Sequence, residues 1–280
     1  MSKLPSSAAY LVSTSTNGSP SRESFRKFFE CWLAEQSNYL EQLISTCKDY
    51  DHNKKNSPQS SSQAILQPLI NRVLEHYEHY YRAKSRWAKD DVLSMLSPSW
   101  TSTLEHAFLW IGGWRPSVAF HLLYSKSGHQ LEAQLHELIC GLGTGDLGDL
   151  SASQLTRVDQ LQRKTIREEN ELTEKHAKHQ EAVADSSMVE LSHEVTELLR
   201  SESTGDEVDE ERVESTLAPK KDGLQEILQM ADDLRLRTIK GVIEILTPMQ
   251  AVHFLIAAAE LHLRLHDWGK KGDWARRVHH

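Results

Sequence analysis

Fifteen histidines are spread through this 280-residue chain, and three pairs fall at spacings that put both rings on one side of a helix. His262 and His266 are the pair with chemical promise. In ELHLRLHDWG they stand four residues apart, about 40° around a helix that turns about 100° per residue, on an arc shared with Leu255, Ala258, Ala259 and Leu265. His253, Glu260, Arg264 and Asp267 take the opposite side. Two imidazoles on an apolar arc floored by alanines could hold a metal or a flat cofactor such as haem, because small residues leave room for a plate. The same rings could equally be hydrogen-bonded core or rim histidines. Axial haem ligands face each other across the ring, whereas residues four apart project to one side. One of the two could then be the iron ligand, with the other as its neighbour.

The remaining candidates carry less. His76 and His79 stand three apart among Tyr77, Tyr80 and Tyr81, and His176 with His179 decorate a polar stretch that reads as surface. Glu168-Glu169 and Asp232-Asp233 are adjacent, so their carboxylates point to different helix sides, the wrong geometry for a shared proton. They read as solvated charges. Gly141-x-Gly143-x-Gly145 follows a helix rather than a strand and reads as a linker, and no GxSxG, P-loop, HExxH or GxGxxG occurs. No catalytic residue is expected, and the chain reads as a non-enzyme. Cys31, Cys47 and Cys140 are far apart in no CxxC spacing, which points to a reducing compartment. A formal charge of -8 opposes general binding to nucleic acid, and no apolar run has membrane-spanning length. Lys270, Lys271, Arg276 and Arg277 read as a solvated basic face.

The elements that must position these residues are helical. Residues 1–23 are rich in Ser and Thr and predict a disordered tail. Phe25, Phe28, Phe29 and Trp32 open an amphipathic helix over 24–47, and as an aromatic stripe they are core or a docking face, the core being the usual outcome. A second helix is expected over about 62–96. The stretch TLEHAFLWIGGWRPSVAFHLLYS, 103–125, then reads as a helix ending near Ile111, a tight break at Gly112-Gly113, and a second helix starting at Pro116. Further helices are predicted over 129–139, from the Ser151-x-x-Gln154 cap to the high 180s, over 222–246, and from Thr247-Pro248 to about Trp268 with Gly269 as its C-cap. The acidic stretch 201–221 predicts a loop, and 271–280 a basic tail. No alternating pattern suggests strands. The fold class expected is all-α, a single antiparallel helical bundle over 24–270 with a disordered N-terminal tail.

The chain resembles the plant DELAY OF GERMINATION domain family. The resemblance rests on FRKFFECWLAEQSNYLEQL at 25–43, HYEHYYRAKSRWAKDDVLSMLSPSWTSTLEHAFLWIGGWRPSVAFHLLY at 76–124, LSASQLTRVDQLQRKTIREENELT at 150–173 and LRLRTIKGVIEILTPMQAVHFLIAAAELHLRLHDWG at 234–269. The family comprises seed-dormancy regulators, pollen-aperture factors and, fused to a basic zipper, TGA-type transcription factors. The resemblance implies a non-enzymatic regulator in abscisic-acid signalling that binds type 2C protein phosphatases and haem. It places the haem histidines on His262 and His266 and the phosphatase-binding segment on Phe29 to Gln36, with Phe28, Phe29, Trp32 and Gln36 as contact residues. It implies residence in nucleus and cytoplasm, a possible homodimer, and a TGA-type factor as another partner. The alternatives it carries are a pollen-aperture factor peripheral to the plasma membrane and a transcriptional cofactor with no DNA-binding region of its own.

Overall fold

The computed structural model of the protein describes residue 7 and residues 22–53, 60–138, 150–200 and 210–278. Among these residues all regular elements are helical, and the one β-type contact is an isolated bridge between Trp110 and Gly113. The all-α class is therefore as expected. In chain order the helices are α1 (Arg22–Asn53), α2 (Ser60–Ala88), α3 (Val92–Leu96), α4 (Thr103–His106), α5 (Val118–Leu138), α6 (Ala152–Glu181), α7 (Ser186–Arg200), α8 (Glu210–Ile245) and α9 (Pro248–Val278). A 3-10 turn at Ala182–Ala184 separates α6 from α7.

The apolar spacing of each long helix decides its neighbours. On α1, Phe25, Phe28, Phe29, Trp32, Gln36 and Leu43 recur every three, four or seven residues, and all are buried. Helix α9 packs on α1, α2, α4 and α5, while α6 lies along α8 and α2 touches α8. Two apolar clusters result. One gathers Leu43, Ile70, Phe120, Val242, Phe254 and Leu255, and the other gathers Phe25, Phe28, Trp32, Trp87, Met95, Trp100 and Leu228. Tyr77 packs against both. Each fully buried Leu, Phe or Met contributes about 1.5–3 kcal/mol, so these clusters hold the helices together.

Several elements differ from expectation for identifiable reasons. The predicted helix 62–96 ends at Ala88, because Asp91 caps α3 instead, accepting from the Ser94 N–H at 3.0 Å and hydroxyl at 2.5 Å. The apolar run 104–111 is not a helix beyond α4, and α5 starts at Val118 rather than Pro116. Between them Trp110 N–H donates to Gly113 O at 2.7 Å, and Gly113 N–H returns to Trp110 O at 3.2 Å. Ile111 (φ 45°) and Gly112 (φ 65°) sit at its tip in left-handed conformation, the pattern of a type I′ turn. The predicted helix 129–139 is the continuation of α5.

The acidic loop is also shorter than predicted: α8 already begins at Glu210, with Pro219 inside it, and 201–209 lie outside the described residues. Gly269 does not cap α9. It is buried within that helix because a Cβ there would stand 2.0 Å from Ser102 Oγ, so the glycine serves close packing on the α4 cap. Residues 271–278 are helical rather than a free tail, and Arg276 donates to Thr103 Oγ1 and to Asp273 at 2.5 Å. Of the predicted tail, residues 1–6 and 8–21 lie outside the described set, whereas Ser7 is 2% exposed.

Candidate functional site

His262 and His266 sit in α9 where it crosses α1 and α4, and the two rings have different surroundings. His266 Nδ1 lies 3.0 and 3.1 Å from the two Glu105 carboxylate oxygens, with Phe29 edge-on at 5.8 Å. Glu105 is only 2% exposed and closes the capping box of α4, accepting from the Ser102 N–H and hydroxyl, each at 2.7 Å. Burial pushes its carboxyl up, but the bonds from His266 and Ser102 prevail and hold it at about 2. His262 lies beside Trp32, ring centroids 5.6 Å apart. Burial drives its ring down to about 4, opposed by the charge of Glu105 and reinforced by His266 and His76. The His262 imidazole is thus neutral at pH 7.

The neutral ring borders an apolar cleft of about 150 Å³, walled by Tyr77 and Tyr81 of α2, Ala119 and Leu122 of α5, and Phe254, Ala258 and Leu261 of α9. Trp114, Arg115 and Pro116 also line it. His266 is absent from that lining. For haem, the donor chemistry fits one axial imidazole: His262 offers a neutral nitrogen in an apolar wall with Ala258 one turn below. A clamp by both rings does not fit, since they face different surroundings. The cleft is smaller than the roughly 300 Å³ of the smallest common ligand sites, so a macrocycle would have to widen it.

Under the cleft lies a buried charge cluster that holds the WIGGWRP corner. Arg235 of α8 donates Nε–H to Trp114 O at 2.6 Å, Nη2–H to Ile111 O at 2.9 Å and to Trp110 O, and Nη1–H to Asp232 at 2.5 Å. Lys84 of α2 donates to Gly112 O at 2.7 Å and to the same Asp232 oxygen at 3.1 Å. Burial pulls the Lys84 ammonium down to about 8 against the pull of Asp232. Asp232 is 3% exposed, which corrects its reading as a solvated charge. Glu169 is likewise buried, accepting from Ser117 N–H at 2.5 Å and pairing with Arg115 at 3.2 Å. Adjacent helix residues face different sides, so one member of each acidic pair goes inward while Asp233 and Glu168 stay near the surface. Lys84 and Arg235 had no sequence signal beyond lying near apolar positions.

Phe28, Phe29, Trp32 and Gln36 are 0%, 3%, 2% and 1% exposed, so all four are core. Trp32 donates its indole N–H to His76 O at 3.2 Å and stacks on the His76 ring at 4.6 Å, and Gln36 bonds the Tyr77 hydroxyl at 3.0 Å. A partner reaching this stretch of the folded chain meets Glu30, Ala34, Ser37 and Asn38 instead. His179, expected on the surface, contacts Lys220 O at 2.7 Å and packs on α8. Among the described residues no three His, Cys, Asp or Glu side chains cluster as a metal site, and no helix is long and apolar enough to cross a membrane.

Comparison with known proteins places this geometry. Residues 36–125, from the middle of α1 through the corner into α5, match the family described as "DOG1: Seed dormancy control". The chain is 31% identical over 250 residues to Protein DOG1-like 3 of Arabidopsis thaliana, covering 85% of this chain and 81% of that protein. The chain belongs to the DOG1 seed-dormancy family. Other relatives from the same plant include Protein RESPONSE TO ABA AND SALT 1, 28% identical over 88% of this chain and 95% of that protein. Transcription factor TGA2 is 28% identical over 84% of this chain but only 60% of its own length. The DOG1 match contains the WIGGWRP corner, and the similarity to the relatives extends over most of the helical scaffold that carries His262.

Proposed function

We propose that this DOG1-family chain is a non-enzymatic regulator of seed dormancy and abscisic-acid responses that acts by binding proteins and haem. The regulatory role follows from family membership; the partners rest on the resemblance and on the surfaces that α1 and the cleft leave open. A type 2C protein phosphatase docks on the exposed side of α1, at Glu30, Ala34, Ser37 and Asn38. His262 would supply the nitrogen that holds haem at the cleft, while Glu105 holds His266 as its neighbour. The chain works in nucleus and cytoplasm. The likeness to most of this chain within TGA2 favours a second reading, in which it pairs with TGA-type factors through the helical part the two share.

The observation that carries the cofactor assignment is the neutral His262 ring on the apolar cleft. Titration of the purified protein with hemin should give a Soret shift that His262→Ala abolishes and His266→Ala only weakens. An unchanged shift in His262→Ala refutes the assignment. Capture of purified type 2C phosphatases, with and without hemin, tests the protein partner separately, and no retention at micromolar concentrations would refute it.

A further inference from the structure

Ser7 is the buried residue that neither the fold nor the haem site uses. Its backbone N–H donates to Glu35 Oε1 at 2.7 Å and its hydroxyl to Glu35 Oε2 at 2.6 Å, so one residue grips both oxygens of one carboxylate. His76 Nδ1 stands 3.5 Å from Glu35 Oε2. Glu35 and His76 thereby form a small polar socket on α1 and α2, beside the Trp32–His76 stack. Such paired bonds to a carboxylate are charge-assisted and stronger than neutral ones. In keeping with them the Glu35 carboxyl lies at about 2, burial raising it but the His76 and Ser7 bonds lowering it further.

The Glu35 carboxylate in this socket accepts only from a donor. A carboxylate has no proton to give, so it holds a serine hydroxyl and rejects any anion placed on that oxygen. We propose that Ser7 is a phosphorylation-controlled latch: the free hydroxyl fastens residue 7 to Glu35, and its phosphorylation releases it. The chemistry is a kinase transfer from ATP. The Ser7 Oγ forms a bond to the γ-phosphorus as the β,γ-bridging P–O bond breaks, ADP leaves, and the hydroxyl proton passes to the kinase base. The product has lost its donor and carries nearly two negative charges against a third on Glu35. At 2% exposure the docked serine is out of a kinase's reach, so modification captures the released form and prevents its return. Glu35 lies next to Ala34 on α1, beside the face proposed above for the phosphatase, yet the latch stands on the Ser7 contacts alone.

The test uses the full chain with phosphoserine installed at position 7 during translation, compared with the unmodified protein by amide hydrogen exchange of the peptide containing Ser7. The unmodified chain should show protection, and phosphoserine should raise its exchange by about tenfold or more. Glu35→Gln, which keeps the shape and removes the charge, should raise exchange in the unmodified chain and shrink the effect of the phosphate. Lack of protection in the unmodified chain, equal exchange with and without phosphate, or an undiminished phosphate effect in Glu35→Gln would each overturn the latch. Since exchange involves neither phosphatase nor haem, this result stands apart from tests of the proposed function.

Discussion

Acid reads the surroundings of His262 directly. In the folded chain its ring sits at about 4, because burial beside Trp32 and the cleft disfavours the cation. Glu105 opposes that shift, and His266 and His76 add to it. In the unfolded chain the imidazole returns to about 6.5. The unfolded state therefore binds more protons between these values, and stability falls as the pH drops from about 6.5 toward 4. At pH 5 the unfolded ring is almost fully protonated and the folded ring only about one-tenth so, and at about 1.4 kcal/mol per unit the loss between pH 7 and pH 5 comes to about 2 kcal/mol. Burial lowers His79 and His176 as well, so they add to the total slope with the same sign. The measurement is urea unfolding of the natural chain and of His262→Phe, which keeps a flat ring beside Trp32, at both pH values. The variant should lose about 2 kcal/mol less than the natural chain. Equal losses would refute the neutral imidazole in the folded chain, and with it the supply of a free nitrogen for iron.

Three further substitutions probe the corner. Gly112→Ala places a Cβ 2.5 Å from Met95 O at a left-handed φ of 65°, and should cost about 3 kcal/mol in chemical denaturation. Asp232→Ala leaves Lys84 and Arg235 as uncompensated buried cations and should cost about 3–5 kcal/mol, whereas Lys84→Met keeps the Arg235–Asp232 pair and should cost about 1–3 kcal/mol for the Gly112 carbonyl left without a donor. A reversed order of the last two would show that Asp232 is not the centre of the cluster.

What the sequence made legible followed from periodicity. The long apolar repeats of α1, α8 and α9 and the capping box Ser151/Gln154 located helices because one face must be buried and one N–H must be capped. The corner misled because Leu104 to Ile111 is apolar enough for a helix, yet the turn is imposed by carbonyls that bond side chains from α2 and α8, far away in sequence. Asp232 and Glu169 were hidden for the same reason: a carboxylate looks solvated until its distant cations are known. Gly269 resembles a C-cap in any local reading, and only the approach of Ser102 shows why the helix needs it inside. His262 and His266 were correctly put on one helix face, but their separate fates depend on Glu105, a residue about 160 positions earlier.

The corner and the histidine therefore belong to one construction. Arg235 commits its guanidinium to the carbonyls of Trp110, Ile111 and Trp114, and Asp232 neutralises both it and Lys84. That fixes Trp114 and the following Arg115-Pro116 as part of the lining of the cleft that His262 also lines. The capping box of α4 then supplies Glu105 to His266, one turn further along the same helix. Ile111, a β-branched residue in left-handed conformation, carries strain that only a rigid set of bonds can sustain, and the buried cations provide those bonds. The most recognisable motif in the chain thus sets the shape of the cleft, while the surroundings on either side decide which histidine is free to bind and which is held.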